Sequence, residues 1–271
     1  GFVVIYRASK VFNMAVGEML VVGAFLVWWA VQSRGMHPAV GIGVALAISV
    51  LIGLAIERLL FRRLIGESVF SMIMVTIGLL ILLRGLVLLI WGPQERQFPA
   101  IIPLAPVFIG EMIVPRSLAA GGLIAVACAA ALHWFFNRSR TGLAMSAVAE
   151  DHQIALAMGI SVRRSIAFAW ALGAVLSVIT SMVYLSGKSL TFLSSEIGFA
   201  ALPVALLAGL ESIGGLLLAG IIVGVVQGLT AAYIDPLIGG NAAAVVPYVF
   251  MLVVLIVRPT GMFGWKRIER V

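Results

Sequence analysis

The sequence predicts an all-α membrane protein, a polytopic helical bundle of about seven or eight transmembrane helices. Of its 271 residues, 62% are hydrophobic and only 11% are charged, whereas a soluble domain carries about 25% charged residues. Apolar runs of about 20 residues recur along the chain, the length that a helix needs to cross a bilayer. Basic residues gather in alternate connections, which indicates one orientation in the membrane.

The first half of the chain contains four predicted spans. They are residues 11–31, 38–56, 69–91 and 118–136. Residues 1–6 resemble the end of a further span, so we expect a leading helix before Gly1. The connection 92–117 holds five prolines and is not a continuous helix. Within it, the alternating residues 107–114 predict a small hairpin.

The second half contains four more apolar runs, at residues 165–185, 197–210, 216–234 and 242–257. The run 197–210 contains Pro203 and reaches only about 21 Å if helical, short of the roughly 30 Å hydrocarbon core. We therefore expect a broken or re-entrant helix near residues 197–215. The next run places Gly220, Gly224 and Gly228 on one face, which favours close helix packing.

The longest polar stretch, residues 137–164, separates two spans. Its middle, from Gly142 to Met158, is rich in Ala, Leu and Met and predicts one surface helix that ends at Gly159. Apolar residues recur in it at roughly helical spacing: Ala144, Val148, Ala155 and Met158. The segment is either a helix that docks a partner or an ordinary solvated connection.

The basic residues predict the orientation of the chain. If spans alternate, 13 of the 18 basic residues fall on one side, four on the other, and Arg84 lies within a span. The larger set is Arg7, Lys10, Arg58, Arg62, Arg63, Arg138, Arg140, Arg163, Arg164, Arg258, Lys266, Arg267 and Arg270. An excess of this size predicts that this side, with residues 137–164 and the C-terminus, is cytoplasmic.

Enzyme motifs are absent from the sequence. It has no HExxH, no GxSxG and no Walker A phosphate loop, so we expect neither catalysis nor ATP hydrolysis by this chain. Its three histidines are scattered and predict no metal site, and the single cysteine, Cys128, cannot form an intramolecular disulfide.

Ionisable residues within spans are the sharper functional signal. Glu18 is expected near mid-membrane and Arg84 nearer the outer face, close enough for a direct or water-bridged pair. The alternative is that Arg84 extends its guanidinium outward to the interface. Asn13 and Gly17 would place a small polar notch beside Glu18 on one helix face. Gly209 either breaks a helix beside a cavity or serves close packing.

Four motifs, in order along nearly the whole chain, resemble one family. They are VFNMAVGEMLVVGAFL at residues 11–26, SRTGLAMSAVAEDHQIALAMGI at 139–160, AGLESIGGLLLAGIIVG at 208–224 and RPTGMFG at 258–264. The chain resembles the membrane-spanning permease subunit of the high-affinity branched-chain amino acid ABC transporters.

The resemblance implies a single permease domain over residues 1–271, with 137–164 as its cytoplasmic coupling loop, in the bacterial cytoplasmic (inner) membrane. Its implied partners are a second, usually different permease, two ATPases that bind ATP and Mg, and an external solute-binding protein. The chain itself would hold no cofactor or metal. Its cargo would be a branched-chain amino acid or a related small polar solute.

Depth, polarity and the resemblance together give two sets of candidate residues. The solute-pathway candidates are Asn13, Gly17, Glu18, Thr76, Arg84, Gly209 and Glu211. The ATPase-docking candidates are Thr141, Gly142, Ala147, Glu150, Asp151, Met158 and Gly159. Leu143 and Ser146 stand where the family often has arginines, so docking would rely more on Glu150, Asp151 and the apolar face. Met14 and Glu211 also depart from the family pattern, which leaves the cargo open.

Two other functions remain open from the sequence. The chain could be a stand-alone secondary transporter that uses Glu18 as its proton carrier. It could also be a structural membrane subunit without a pathway of its own.

Overall fold

The computed structural model describes residues 1–64, 67–103, 105–109, 112–210 and 212–264. Helices dominate this part of the chain. They are α1 Phe2–Ser9, α2 Val16–Trp28, α3 Pro38–Leu59, α4 Val69–Trp91, α5 Arg116–Arg138, α6 Arg140–Glu150, α7 His152–Ala157, α8 Val162–Leu185, α9 Glu196–Leu207, α10 Ile213–Leu229, α11 Asp235–Ile238 and α12 Ala242–Val257.

Six helical stretches within the described ranges are long and apolar enough to cross a membrane. They are Val16–Ser33, Pro38–Arg63, Val69–Trp91, Arg116–Arg138, Val162–Leu185 and Ile213–Ile238. Two further apolar helices, Phe192–Leu207 and Ala242–Val257, are shorter. The protein is therefore a polytopic all-α membrane protein.

Helix α8 lies at the centre of the bundle and packs against α1, α2 and α3. Small residues allow these close contacts, since a Cβ at Gly53 would lie 2.8 Å from the carbonyl oxygen of Trp170. The Trp170 ring is buried and stacks on Phe61 at 4.4 Å, which closes this end of the core. The core thus forms around one long helix, and α4, α10 and α12 expose many of their apolar side chains.

The prediction of a continuous first span over residues 11–31 is wrong. Residues 10–15 are not helical, because Lys10 has a left-handed φ of 54° and the Asn13 side chain accepts a hydrogen bond from the Ala15 N–H. Phe12 stacks back on Phe2 at 5.7 Å. The chain therefore runs back along α1, and Glu18 lies in the first turn of α2 rather than well inside a long helix.

The single helix predicted from Gly142 to Met158 is also wrong, because Asp151 divides it. Asp151 has extended backbone angles, with φ −153° and ψ 118°. Its carboxylate accepts hydrogen bonds from the N–H groups of Gln153 and Ile154 and caps α7. Gly159, with φ 77°, lies in the turn after α7. Two short helices, α6 and α7, therefore replace one.

Short strands join the connections at the opposite end of the bundle. Strand β1 (Arg96–Gln97) pairs antiparallel with β4 (Ser189–Leu190), so these two connections lie at the same end. The predicted hairpin is confirmed as β2 (Val107–Ile109) and β3 (Met112–Val114). The β1–β4 pairing agrees with the alternation of spans that the charge pattern required.

The apolar run near residues 197–215 is a short helix followed by a turn. Helix α9 ends at Leu207, Gly209 and Leu210 take positive φ, and α10 begins at Ile213. The turn is closed by the C-terminal motif, since the Met262 N–H donates to the Leu207 carbonyl at 2.7 Å.

Helices α2 and α9 approach each other at a pair of glycines. A Cβ at Gly198 would lie 2.4 Å from the Gly17 Cα, closer than any side chain tolerates. We expect Gly198→Ala to separate these helices and to lower stability by about 1–3 kcal/mol. Thermal unfolding in detergent would measure this as a lower apparent melting temperature.

Gly43→Ala is the matched control, because a Cβ there would meet no atom within 4 Å. That change should raise stability slightly, since alanine favours the helix by about 0.8–1.0 kcal/mol. Equal melting temperatures for the two variants would contradict the close approach.

Candidate functional site

A buried ion pair is the centre of the candidate site. Arg84 Nε donates to Glu18 Oε1 at 2.8 Å, and Arg84 Nη2 lies 2.7 Å from the same oxygen. Arg84 Nη2 also donates to Ser195 Oγ at 2.9 Å. Three elements meet at this cluster: the start of α2, the middle of α4 and the turn before α9.

Burial makes this pair energetically important. The Glu18 side chain is 1% exposed and that of Arg84 34% exposed, so the carboxylate has lost nearly all of its water. A buried charge must be balanced by a partner. Arg84 supplies it at Oε1, while Oε2 of Glu18 is buried without a hydrogen-bond partner among the described residues. Arg84 therefore points inward to Glu18 and does not extend to the interface.

Two other candidates support the same segment. Thr76 is fully buried, and its Oγ1 lies 2.8 Å from the Ile73 carbonyl and 3.3 Å from that of Phe12. Thr76 and Arg84 are eight residues apart on α4, so both lie near one face of the helix. Asn13 is 1% exposed, and its Nδ2 donates to Met19 Sδ at 3.5 Å. The 12–18 segment is thus hydrogen-bonded to α4 through Thr76 and to α2 through Met19.

Gly17 lies at the same place for a steric reason. A Cβ there would be 2.3 Å from the Ser195 carbonyl oxygen, so only glycine allows the turn before α9 to reach α2. Five of the seven pathway candidates, Asn13, Gly17, Glu18, Thr76 and Arg84, therefore gather around one segment.

Gly209 does not join this group. A Cβ there would lie 2.6 Å from both Thr260 O and the Gly264 Cα, so the residue packs against the C-terminal motif instead of lining a cavity. Glu211 lies outside the described residues.

The docking candidates fall on two faces of α6 and α7. Gly142 is buried, and a Cβ there would lie 2.2 Å from the Phe135 carbonyl oxygen, so it serves the turn from α5 into α6. The other six are exposed: Thr141, Ala147, Glu150, Asp151, Met158 and Gly159. Met145, Val148 and Ala155 are buried against the bundle.

The exposed side of these two helices carries large apolar side chains beside its polar ones. Its large side chains are more than half exposed: Leu143, Ile154, Leu156 and Met158. We refer to these four residues as the α6–α7 patch. The sequence pattern grouped Met158 with Ala144, Val148 and Ala155, whereas the structure exposes Met158 and buries Val148 and Ala155.

The two acidic candidates differ in their surroundings. Glu150 is 81% exposed, and one of its carboxylate oxygens lies 4.0 Å from Lys10 Nζ. Asp151 instead uses its carboxylate to cap α7. Asp151 therefore has a structural task that its sequence position alone did not reveal.

A cleft that sequence reasoning missed lies between α9, α10 and α12. It encloses about 360 Å³ and is lined in part by Glu196, Gln227 and Tyr248. Each of these residues is the single polar side chain of its helix. That rarity was visible in the sequence, but their meeting in one cleft required the tertiary structure.

A metal centre is not formed by the described residues, which contain no group of three or more His, Cys, Asp or Glu side chains that could hold an ion.

Comparison with known proteins gives the family. The sequence profile of the family described as "Branched-chain amino acid transport system / permease component" matches residues 1–257. The chain belongs to this family. It is accordingly a permease component of a membrane transport system and not a catalytic enzyme.

Curated relatives agree with this assignment. The high-affinity branched-chain amino acid transport system permease protein LivH of Escherichia coli is 27% identical over 293 residues, which cover 100% of this chain and 91% of LivH. BraD of Pseudomonas aeruginosa, of the same description, is 27% identical and covered to 92%. A probable branched-chain amino acid transport permease of Methanocaldococcus jannaschii is 22% identical. No solved structure matches the chain.

The ion pair predicts strong coupling between its two residues. We expect Arg84→Gln to lower stability by about 3–5 kcal/mol, because it leaves the Glu18 carboxylate buried without a counter-charge. Glu18→Gln together with Arg84→Gln should destabilise much less than the sum of the two single changes. Apparent melting temperatures of the four proteins in one detergent would measure this cycle, and additive effects would show that the pair is not coupled.

Proposed function

We propose that the chain is the membrane-spanning permease subunit of an ATP-binding cassette importer. In this proposal it translocates a branched-chain amino acid or a related small polar solute. The observation that carries the proposal is the family match over residues 1–257, which is nearly the whole chain. Similarity at 27% identity to LivH and BraD supports the cargo class.

The proposed topology has eight crossings in one permease domain over residues 1–271. Six are the long apolar stretches, and the two shorter helices, α9 and α12, complete the set. We assign the end with α6 and α7 to the cytoplasm because most basic residues fall there. The membrane is then the bacterial inner membrane, and the β1–β4 end faces outward.

The proposed partners are two cytoplasmic ATPases, which would bind ATP and Mg and dock on the coupling helices α6 and α7. The α6–α7 patch supports this, because exposed apolar side chains on an otherwise aqueous surface favour a protein partner. Helix α6 packs on α1, α5 and α8, so a partner bound there would contact the bundle directly.

A second, homologous permease would cover the apolar faces of α10 and α12, giving a heterodimer. Large side chains such as Ile222, Val225 and Leu252 are exposed on these helices. An external solute-binding protein would deliver the cargo at the β1–β4 end. The Glu18–Arg84 pair, with Asn13, Gly17 and Thr76, would then hold the helices that border the pathway.

The proton-carrier alternative is weaker on physical grounds. A proton carrier must be reached by water in each cycle, whereas the Glu18 side chain is only 1% exposed. Glu18 already pairs with Arg84 at 2.7 Å. A permease driven by partner ATPases needs no such access to Glu18.

Affinity purification of the tagged chain in mild detergent tests the importer proposal. We expect a Walker-A-containing ATPase, a second permease and ATP-driven solute uptake after reconstitution. A chain that purifies alone and supports uptake along a pH gradient, lost in Glu18→Gln, would establish the secondary transporter instead.

The α6–α7 patch gives a sharper test. We expect Leu156→Ser with Met158→Ser to reduce ATPase co-purification at least about tenfold, since each buried large apolar side chain contributes about 1.5–3 kcal/mol. Phe108→Ser is the matched control, because Phe108 is 69% exposed in the hairpin at the other end. Full ATPase recovery with the double variant would place docking elsewhere.

Two substitutions at Asp151 distinguish the capping role of its side chain from the role of its charge. Asp151→Asn keeps the ability to cap α7 but removes the charge, and Asp151→Ala removes both. We expect the first variant to retain the ATPase and the second to lose part of it, with α7 destabilised by about 0.5–2 kcal/mol. Hydrogen exchange over residues 152–157, measured beside co-purification, would check this. An equal loss of the ATPase from both variants would show that the ATPase binds through the negative charge of Asp151.

A further inference from the structure

The cleft between α9, α10 and α12 gathers polar groups that these helices otherwise lack. Residues 196–207, 213–229 and 242–257 are apolar apart from Glu196, Gln227 and Tyr248. All three line the same cleft of about 360 Å³. Single polar residues placed independently on three helices would seldom converge in this way.

The cleft lies deep within the membrane, where polar and ionisable side chains raise the free energy of the folded protein. Ser195, the neighbour of Glu196, is hydrogen-bonded to Arg84. Arg84 lies 15 residues after Val69, the first residue of α4, and is therefore about 22 Å along that helix. Gln227 lies at a similar distance along α10, about 21 Å from Ile213. Both positions are within a hydrocarbon core of about 30 Å. Ionisable side chains at such depth face a protein interior or a water-filled cavity.

The chemistry of the cleft fits the ammonium end of an aliphatic amino acid. Glu196 is exposed to the cleft, and no basic side chain within the described ranges pairs with it. A carboxylate attracts a cation, and the Gln227 amide and Tyr248 hydroxyl add hydrogen bonds. The remaining walls include Ala200, Gly220 and Gly224, which leave room for an aliphatic side chain. The volume lies at the small end of the range for ligand sites, about 300–1,000 Å³.

We propose that Glu196, Gln227 and Tyr248 form a polar subsite on the solute pathway that holds the ammonium group of an amino acid. This inference rests on the importer function proposed above. The Glu18–Arg84–Ser195 contacts fix the start of α9 and so position Glu196.

The competing explanation is that Glu196 only stabilises the N-terminus of α9, where a negative charge is favourable. A purely structural role would change stability and assembly but not the dependence of uptake on solute concentration. The Michaelis constant for uptake therefore distinguishes the two roles.

The test is uptake by cells that lack the native chain and express a variant with its natural partners. The probes are radiolabelled L-leucine, L-isoleucine and L-valine, with urea and acetamide as solutes without an ammonium group. We expect Glu196→Gln to raise KM for the amino acids at least about tenfold, because the variant loses one charge-assisted hydrogen bond to the ammonium group. Assembly and ATPase activity should stay at the native level.

Glu67→Gln is the matched control, because Glu67 is exposed in the connection before α4, outside the cleft and away from the β1–β4 end. It should leave KM unchanged. If Glu196→Gln does not assemble, Tyr248→Phe removes one hydroxyl only and should raise KM about threefold. An unchanged KM in every cleft variant that assembles would overturn the subsite.

The remaining outcomes separate the subsite from the importer function. Native uptake of urea or acetamide but not of amino acids would overturn the subsite and leave the importer intact. A native chain that recruits no ATPase and transports none of the probes would overturn both.

Discussion

The Glu18–Arg84 ion pair is the interaction on which the arrangement of the helices depends most directly. It joins α2 to α4, and through Ser195 it also fixes the turn before α9. The glycines at 17 and 198 let α2 and α9 meet without intervening side chains. An unpaired charge in an apolar bundle is costly, so a displacement of any of these three elements would weaken either the ion pair or the contact between the glycines.

The lengths of the apolar runs predicted the membrane class, the long spans and the short helix α9, because the thickness of the bilayer determines how many apolar residues a span needs. The prediction failed where local hydrogen bonds compete with helix formation. Asn13 and Asp151 each bind backbone N–H groups with their side chains, and each interrupts a helix that the apolar pattern alone would continue. A capping residue inside an apolar run was the available signal.

The sequence predicted the part of the candidate site in which charged residues stand within apolar spans. Glu18 and Arg84 stand out because a charge within a span is rare. The α6–α7 patch was only partly predictable, since the break at Asp151 changes which residues of the second helix face outward. Glu196, Gln227 and Tyr248 are unremarkable one at a time, and their significance depends on the packing of three helices that no spacing rule relates.

Helix α6 packs on α1, α5 and α8, while α7 follows the single extended residue Asp151 and packs on α6 and α8. Lys10 and Glu150 bring the C-terminal end of α6, next to Asp151, to the end of α1, just before the chain turns back toward α2. A displacement of α7 would therefore be passed to α6 and α8, and through α6 to the end of α1. The backbone from Lys10 to Ala15 then connects this end of α1 to the first turn of α2, which contains Glu18.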